Sequence, residues 1–299
     1  MTRFRVALVG LIVLTSSSFC KADDLSSVVA DGAELKQVVS DCVFTEGPAA
    51  DSAGNVYFTD QPNDRIVRIG IDGTIGDFMR PSGRSNGMYF SPDGKLIACA
   101  DEKNEMWSID VDAKTREVLF AHLDGEQLNG PNDVWVHPSG VMYFTDPYYQ
   151  RPWWKHNKAP QSTQSVYRVD KDMTITRQDE AFVQPNGIIG DPRRNRLYVA
   201  DIGDRKTYLY TIAADQTLTD RKLFCEEGSD GMTVDTAGNV YLTGGEGVTV
   251  FDVDGKRLGV IKVPKSWSAN VCFGGKDRST LFITSMDSVY TLAMKTAGL

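Results

Sequence analysis

Residues 132–146 read NDVWVHPSGVMYFTD: a polar residue, a short apolar run, a Pro-Ser-Gly turn, then a strand of alternating aliphatic and aromatic residues closed by Asp146. The same grammar recurs along the chain. Residues 46–60 read EGPAADSAGNVYFTD and residues 86–101 read NGMYFSPDGKLIACAD. Residues 186–201 read NGIIGDPRRNRLYVAD, 230–244 DGMTVDTAGNVYLTG and 270–285 NVCFGGKDRSTLFITS. Their starts lie 40 to 54 residues apart. Each copy is a β-hairpin, because Asp or Pro opens the turn and Gly supplies positive φ where the chain reverses. Runs such as Val-Tyr-Phe-Thr are strand formers. Further strand-like pieces between the copies, such as Ile66 to Ile71 and Val166 to Asp170, bring each unit to about four strands, which is a propeller blade. The expectation is an all-β, six-bladed β-propeller filling residues 23–299 as one domain. No segment of helical periodicity competes with it.

Residues 1–22 read as a secretory leader: Arg3 and Arg5, an apolar run from Val6 to Thr15, then Ser16 to Ala22. Cys20 and Ala22 suit a cut before Asp23. The apolar run is too short for a membrane span, and no later one approaches the length required. The protein is expected to be exported, periplasmic or secreted. Without Arg3, Arg5 and Lys21, the 32 basic residues become 29 against 40 acidic, a net charge of −11. That balance repels nucleic acid and anionic membranes and tolerates metal cations. Cys42, Cys99, Cys225 and Cys272 remain, in no metal-type pair. An even number in an exported chain permits disulfides, while the apolar runs around Cys99 and Cys272 suit buried thiols equally.

If every copy begins at the strand lining the channel, its first residues converge on one axis. They are Glu46, Asn86, Asn132, Asn186, Asp230 and Asn270, all acids or amides. A packed core does not select six such side chains, since buried polar groups need partners. Two chemistries stay open: a site for a hard divalent cation, or groups that bond backbone and water at the channel mouth. Oxygen donors suit calcium first and magnesium next. The lack of His and Cys in the set argues against a dedicated zinc or copper site, although zinc or manganese could still occupy it.

Thr45-Glu-Gly-Pro48, Pro131-Asn-Asp133, Pro185-Asn-Gly187, Ser229-Asp-Gly-Met232 and Cys272-Phe-Gly-Gly275 resemble, in order and spacing, the SMP-30/gluconolactonase/regucalcin-like family. The resemblance implies a six-bladed propeller with one divalent metal at the channel mouth that hydrolyses a small sugar lactone such as gluconolactone. It implies Glu46, Asn186 and Asp230 as metal ligands; for lactone hydrolysis Asp230 is the carboxylate expected to accept the proton of the attacking water. Asn132 and Asn129 would orient substrate. Many relatives carry Arg where this chain has Gly130, so another residue takes that role or the substrate differs. Residues 146–154 (DPYYQRPWW) are expected to form either an aromatic flap, with Tyr148, Tyr149, Trp153 and Trp154 facing a sugar ring, or a loop packed on the surface. Alternative readings are a non-catalytic calcium- or sugar-binding propeller, or another propeller hydrolase or lyase.

Overall fold

Every copy of the repeat forms a hairpin, and two further antiparallel strands extend it outward into a four-stranded blade. This is seen in a computed structural model that describes residues 23–299. The leader expected over residues 1–22 lies outside the described residues. Blade 1 holds Thr45–Ala50, Val56–Asp60, Arg65–Ile69 and Ile75–Met79. Blades 2 to 5 repeat the order, their first strands being Ser85–Phe90, Val134–Val136, Pro185–Asp191 and Met232–Val234. Blade 6 differs. Asn270–Gly274, Thr280–Ser285 and Ser288–Ala293 are completed by Lys36–Val39 from the other end of the chain. The first strands pack side by side in a closed ring, blade 6 returning to blade 1. Six blades and all-β architecture agree with the reading of the repeat; the strand borrowed by blade 6 was not legible in it.

The local chemistry explains the hairpins. Asp51 Oδ1 accepts the amides of Ala53 and Asn55 at 3.0 and 2.9 Å, and Gly54 takes φ 92°. Asp235 does the same for Ala237 and Asn239. Burial falls outward: Val56–Asp60 is buried throughout, whereas Ile75–Met79 at the rim is mostly exposed. Between blades 3 and 4, Trp135 packs on Ile188, Ile189 and Tyr198.

The aspartates closing the copies have a structural task. Asp60 accepts the amides of Val43 and Phe44, Asp146 those of Asn129 and Gly130, and Asp201 those of Val183 and Gln184. Each carboxylate thus holds the segment entering its own blade, three and two residues before the opening position. Threonines stitch blades together: Thr59 Oγ1 donates to Asn86 O, Thr145 to Asn186 O and Thr243 to Ala269 O. The repeated Gly after the opening residue is a matter of space, as at Gly231, where a Cβ would come within 2.0 Å of the Asn270 amide.

No helix among the described residues is long and apolar enough to cross a membrane. Cys42, Cys99, Cys225 and Cys272 are all free thiols; Cys99 and Cys225 are buried, Cys42 and Cys272 half-buried. Alkylation of urea-unfolded, unreduced protein is therefore expected to modify all four, and native protein to protect Cys99 and Cys225. A mapped disulfide would contradict this. Asp201→Ala orphans two part-buried amides and is expected to cost about 1–2 kcal/mol in urea unfolding; an unchanged midpoint would contradict a stabilising role for the carboxylate clamp.

Candidate active site

Each opening residue sits where its inner strand begins, with its backbone tied to a neighbour. Asn132 shows how: its amide donates to Thr145 O at 2.9 Å and its carbonyl accepts from Gly87 at 2.8 Å. Glu46, Asn86, Asn132, Asn186 and Asn270 are buried and Asp230 is half-buried. The structure brings four of the six into one cluster. Asn186 Nδ2 donates to Asp230 Oδ1 at 2.9 Å. Asn270 faces Glu46, and Gly47 donates its amide to Glu46 Oε2 at 2.9 Å.

Two members were missed. Asp133, just after an opening residue, takes a place where four other copies have Gly. Its carboxyl accepts the amides of Val134 at 3.0 Å and Ile188 at 3.3 Å and also faces Asn270. The odd residue among glycines was the available signal. Trp267 donates Nε1 to Asp230 Oδ2 at 2.6 Å from 37 positions away, and nothing in its local sequence announces this.

Three carboxyls in so small and dry a space oppose one another. Burial, reinforced by the charge of Asp230, raises Glu46 well above the usual carboxylate range. Burial also pushes Asp133 up to about 8. It takes Asp230 to about 6, with the Trp267 and Asn186 donors and Arg151 holding it down. Asn186 Oδ1 is buried with no hydrogen-bond partner. An acceptor without a donor, next to carboxyls that repel, is an environment in which positive charge falls short of negative. No group of three His, Cys, Asp or Glu able to hold a metal is found among the described residues. A cation here would draw on amide oxygen together with two carboxylates.

Residues 147–164 lie over this end of blades 2 to 4, pinned rather than free. Tyr148 is held by Gln164 and Gln184, and Trp154 Nε1 donates to Asp101 O at 2.7 Å. Trp153 lies over Arg84 at 4.8 Å, and Trp154 stacks on His156. Of the four aromatics, Tyr149 reaches the cluster: its hydroxyl accepts from Asn186 Nδ2 at 2.9 Å. Asn129 is fully buried, and its side chain is spent on that loop. It donates to Asp146 O and Thr163 O and accepts from Gln161 N. It holds the loop in place and offers no spare polar atom. At Gly130 (φ 153°) a Cβ would lie 2.8 Å from the Trp154 ring, so the loop occupies the room a side chain would need.

A ring of six blades with a carboxylate–amide cluster at one mouth defines a class of propeller. Residues 44–287 match the family model described as SMP-30/Gluconolactonase/LRE-like region, and the chain belongs to that family. It is 27% identical to the gluconolactonase of Zymomonas mobilis, over 92% of this chain and 85% of that protein. It is 34% identical to the 6-deoxy-6-sulfogluconolactonase of Pseudomonas putida, over 77% and 78%. The solved gluconolactonase from Xanthomonas campestris superposes with a TM-score of 0.83 at 28% identity, covering 90% of this chain and 92% of that one.

A carboxyl whose folded pKa exceeds its unfolded value keeps a proton that the unfolded chain has lost, so folding weakens as pH rises through that interval. With a chelator present, unfolding free energy is expected to fall by a few kcal/mol from about pH 5 to about pH 8. Asp133→Asn should flatten the fall. A profile that stays level in wild-type protein would contradict the crowding of these acids.

Proposed function

We propose that this protein is a sugar-lactone hydrolase working with one divalent cation, calcium foremost, held by Glu46, Asn186 and Asp230. The observation that carries the reading is the partnerless, buried Asn186 Oδ1 beside two mutually repelling carboxyls. An all-oxygen donor set suits a hard cation, and calcium's flexible coordination suits ligands drawn from three separate blades. Magnesium, zinc or manganese would fit the same donors with less tolerance of geometry or ligand type. Family membership and the lactonase names of the relatives support the substrate class. The basic and then apolar start of the chain supports action outside the cytoplasm, in the periplasm or medium, after removal of residues 1–22.

When bound, a divalent cation supplies positive charge that polarises the lactone carbonyl and offsets the oxyanion formed on addition of water. The remaining work falls to the chain. Asp230 accepts the proton of the attacking water as the new C–O bond forms. It then returns that proton to the ring oxygen as the ring C–O bond breaks, leaving the hydroxy acid. Trp267 fixes the Asp230 carboxylate through Oδ2 and favours its ionised form against the desolvation that raises its pKa. Asn132 and Tyr149 orient the sugar. Lactones are reactive esters, so one base and one centre of positive charge suffice.

Acid release from gluconolactone should disappear on exhaustive chelation and return with calcium. Glu46→Gln keeps shape and loses a charge, so calcium affinity and activity are expected to drop about 100-fold or more. Its far-UV spectrum should be unchanged. Full wild-type activity with metal absent by elemental analysis would overturn the cation's part. A protein that binds calcium and opens no lactone would favour the binding-propeller reading.

A further inference from the structure

The pinned loop over blade 3 brings a guanidinium to the mouth. Arg151 Nε lies 2.7 Å from Asp101 Oδ2, and the guanidinium stands 5.3 Å over the Tyr149 ring. Tyr149 in turn touches Asn186 at 2.9 Å. The charge of Arg151 is felt at Asp230. Its side chain keeps 20% of its surface exposed, and its two terminal nitrogens make no hydrogen bond among the described residues. The ion pair with Asp101 tethers one edge of the fork by charge, at a buried Nε that makes no hydrogen bond of good geometry, while the other edge stays available.

Asp101 departs from the pattern of its counterparts in a way that suits this task. Asp60, Asp146 and Asp201 each clamp the amides entering their own blade. In blade 2 that clamp is Asp64, which accepts from Ser82 N at 2.9 Å and Arg84 N at 2.8 Å. Asp101 is released to hold Arg151, with Gln61 Nε2 donating to the same oxygen at 3.0 Å. A buried carboxylate without the clamp task of its counterparts thus faces an arginine beside the site.

We propose that Arg151 is the specificity-determining residue of the lactone site. Its free Nη groups donate to hydroxyls on the part of the sugar ring remote from the reacting carbonyl, with Tyr149 beside them. The favoured class is a neutral polyhydroxylated lactone: Asp101 already balances the guanidinium charge, and Glu46 and Asp230 disfavour an anionic substituent nearby. This rests on the lactonase reading above. The test compares gluconolactone with δ-valerolactone, which has the ring and no hydroxyls. For Arg151→Met the preference for gluconolactone, as a ratio of kcat/KM, is expected to fall about tenfold or more, with the change in KM rather than kcat. Because that variant strands the Asp101 carboxyl, Asp101→Asn with Arg151→Met is measured alongside and should give the same split. An unchanged gluconolactone KM in both variants, or equal losses on both lactones in the double variant, would overturn the assignment while leaving the lactonase reading standing. Wild-type protein that opens neither lactone would sink both.

Discussion

Lys36–Val39 pairs antiparallel with Ser288–Ala293, Lys36 opposite Thr291 and Gln37 opposite Tyr290, and that seam turns a row of blades into a ring. Thr45 reinforces it, its hydroxyl donating to Met286 O and Ser288 O at 3.1 and 2.9 Å. Glu46 and Asn270 belong to blades at opposite ends of the chain. They meet only because the ring is closed. The entropy lost in closing so long a loop rises slowly with its length, and the gain is a sheet system with no open end at the junction. A chain with this seam undone would keep six hairpins and lose the meeting of Glu46 with Asn270, while Asn186 and Asp230, in successive blades, would stay neighbours.

Closure also forces the cluster's electrostatics. Inner strands that converge on one axis crowd their first residues, and here the crowd includes Glu46, Asp133 and Asp230. A structure optimised for stability alone would place small or apolar groups there. Four copies do put Gly in the second position, yet the third puts Asp133. The donors around the acids compensate only in part. Gly47 and Trp267 supply hydrogen bonds and Asn270 an amide dipole, and none of them supplies a positive charge. Such a site, costly to the fold and complementary to a cation, is where local rules are broken for function.

The hairpins and the ring of opening residues were legible because their causes are local: a turn that needs Gly, a strand that needs β-branched and aromatic residues, a position repeated six times. What escaped depends on contacts between blades. Trp267 acts on Asp230 across an interface whose register no single copy encodes. The seam at Lys36–Val39 looks like any short polar strand until its partner is placed. Asn129 looked available because it is an amide beside Asn132, but its atoms answer the backbone of residues 146–163. A side chain's hydrogen-bonding debts cannot be read from its type. Asp101 teaches the same lesson in reverse, since it shares its position with three clamps and does different work.

The ring and the loop therefore carry separate parts of the chemistry. Cation-type donors come from first residues of inner strands, whose geometry is fixed by closure and by Thr and Asp contacts repeated around the ring. Tyr149 and Arg151 come from an insertion within one blade, pinned by Asn129, Gln161, Gln184 and the Trp154–Asp101 contact. A loop held at so many points pays its ordering cost on folding rather than on binding, so contacts it makes with a ligand count more fully toward affinity. Gly130 marks where the two meet: it lies on the segment entering blade 3 that Asp146 clamps, and a Cβ there would come within 2.8 Å of the Trp154 ring of the loop.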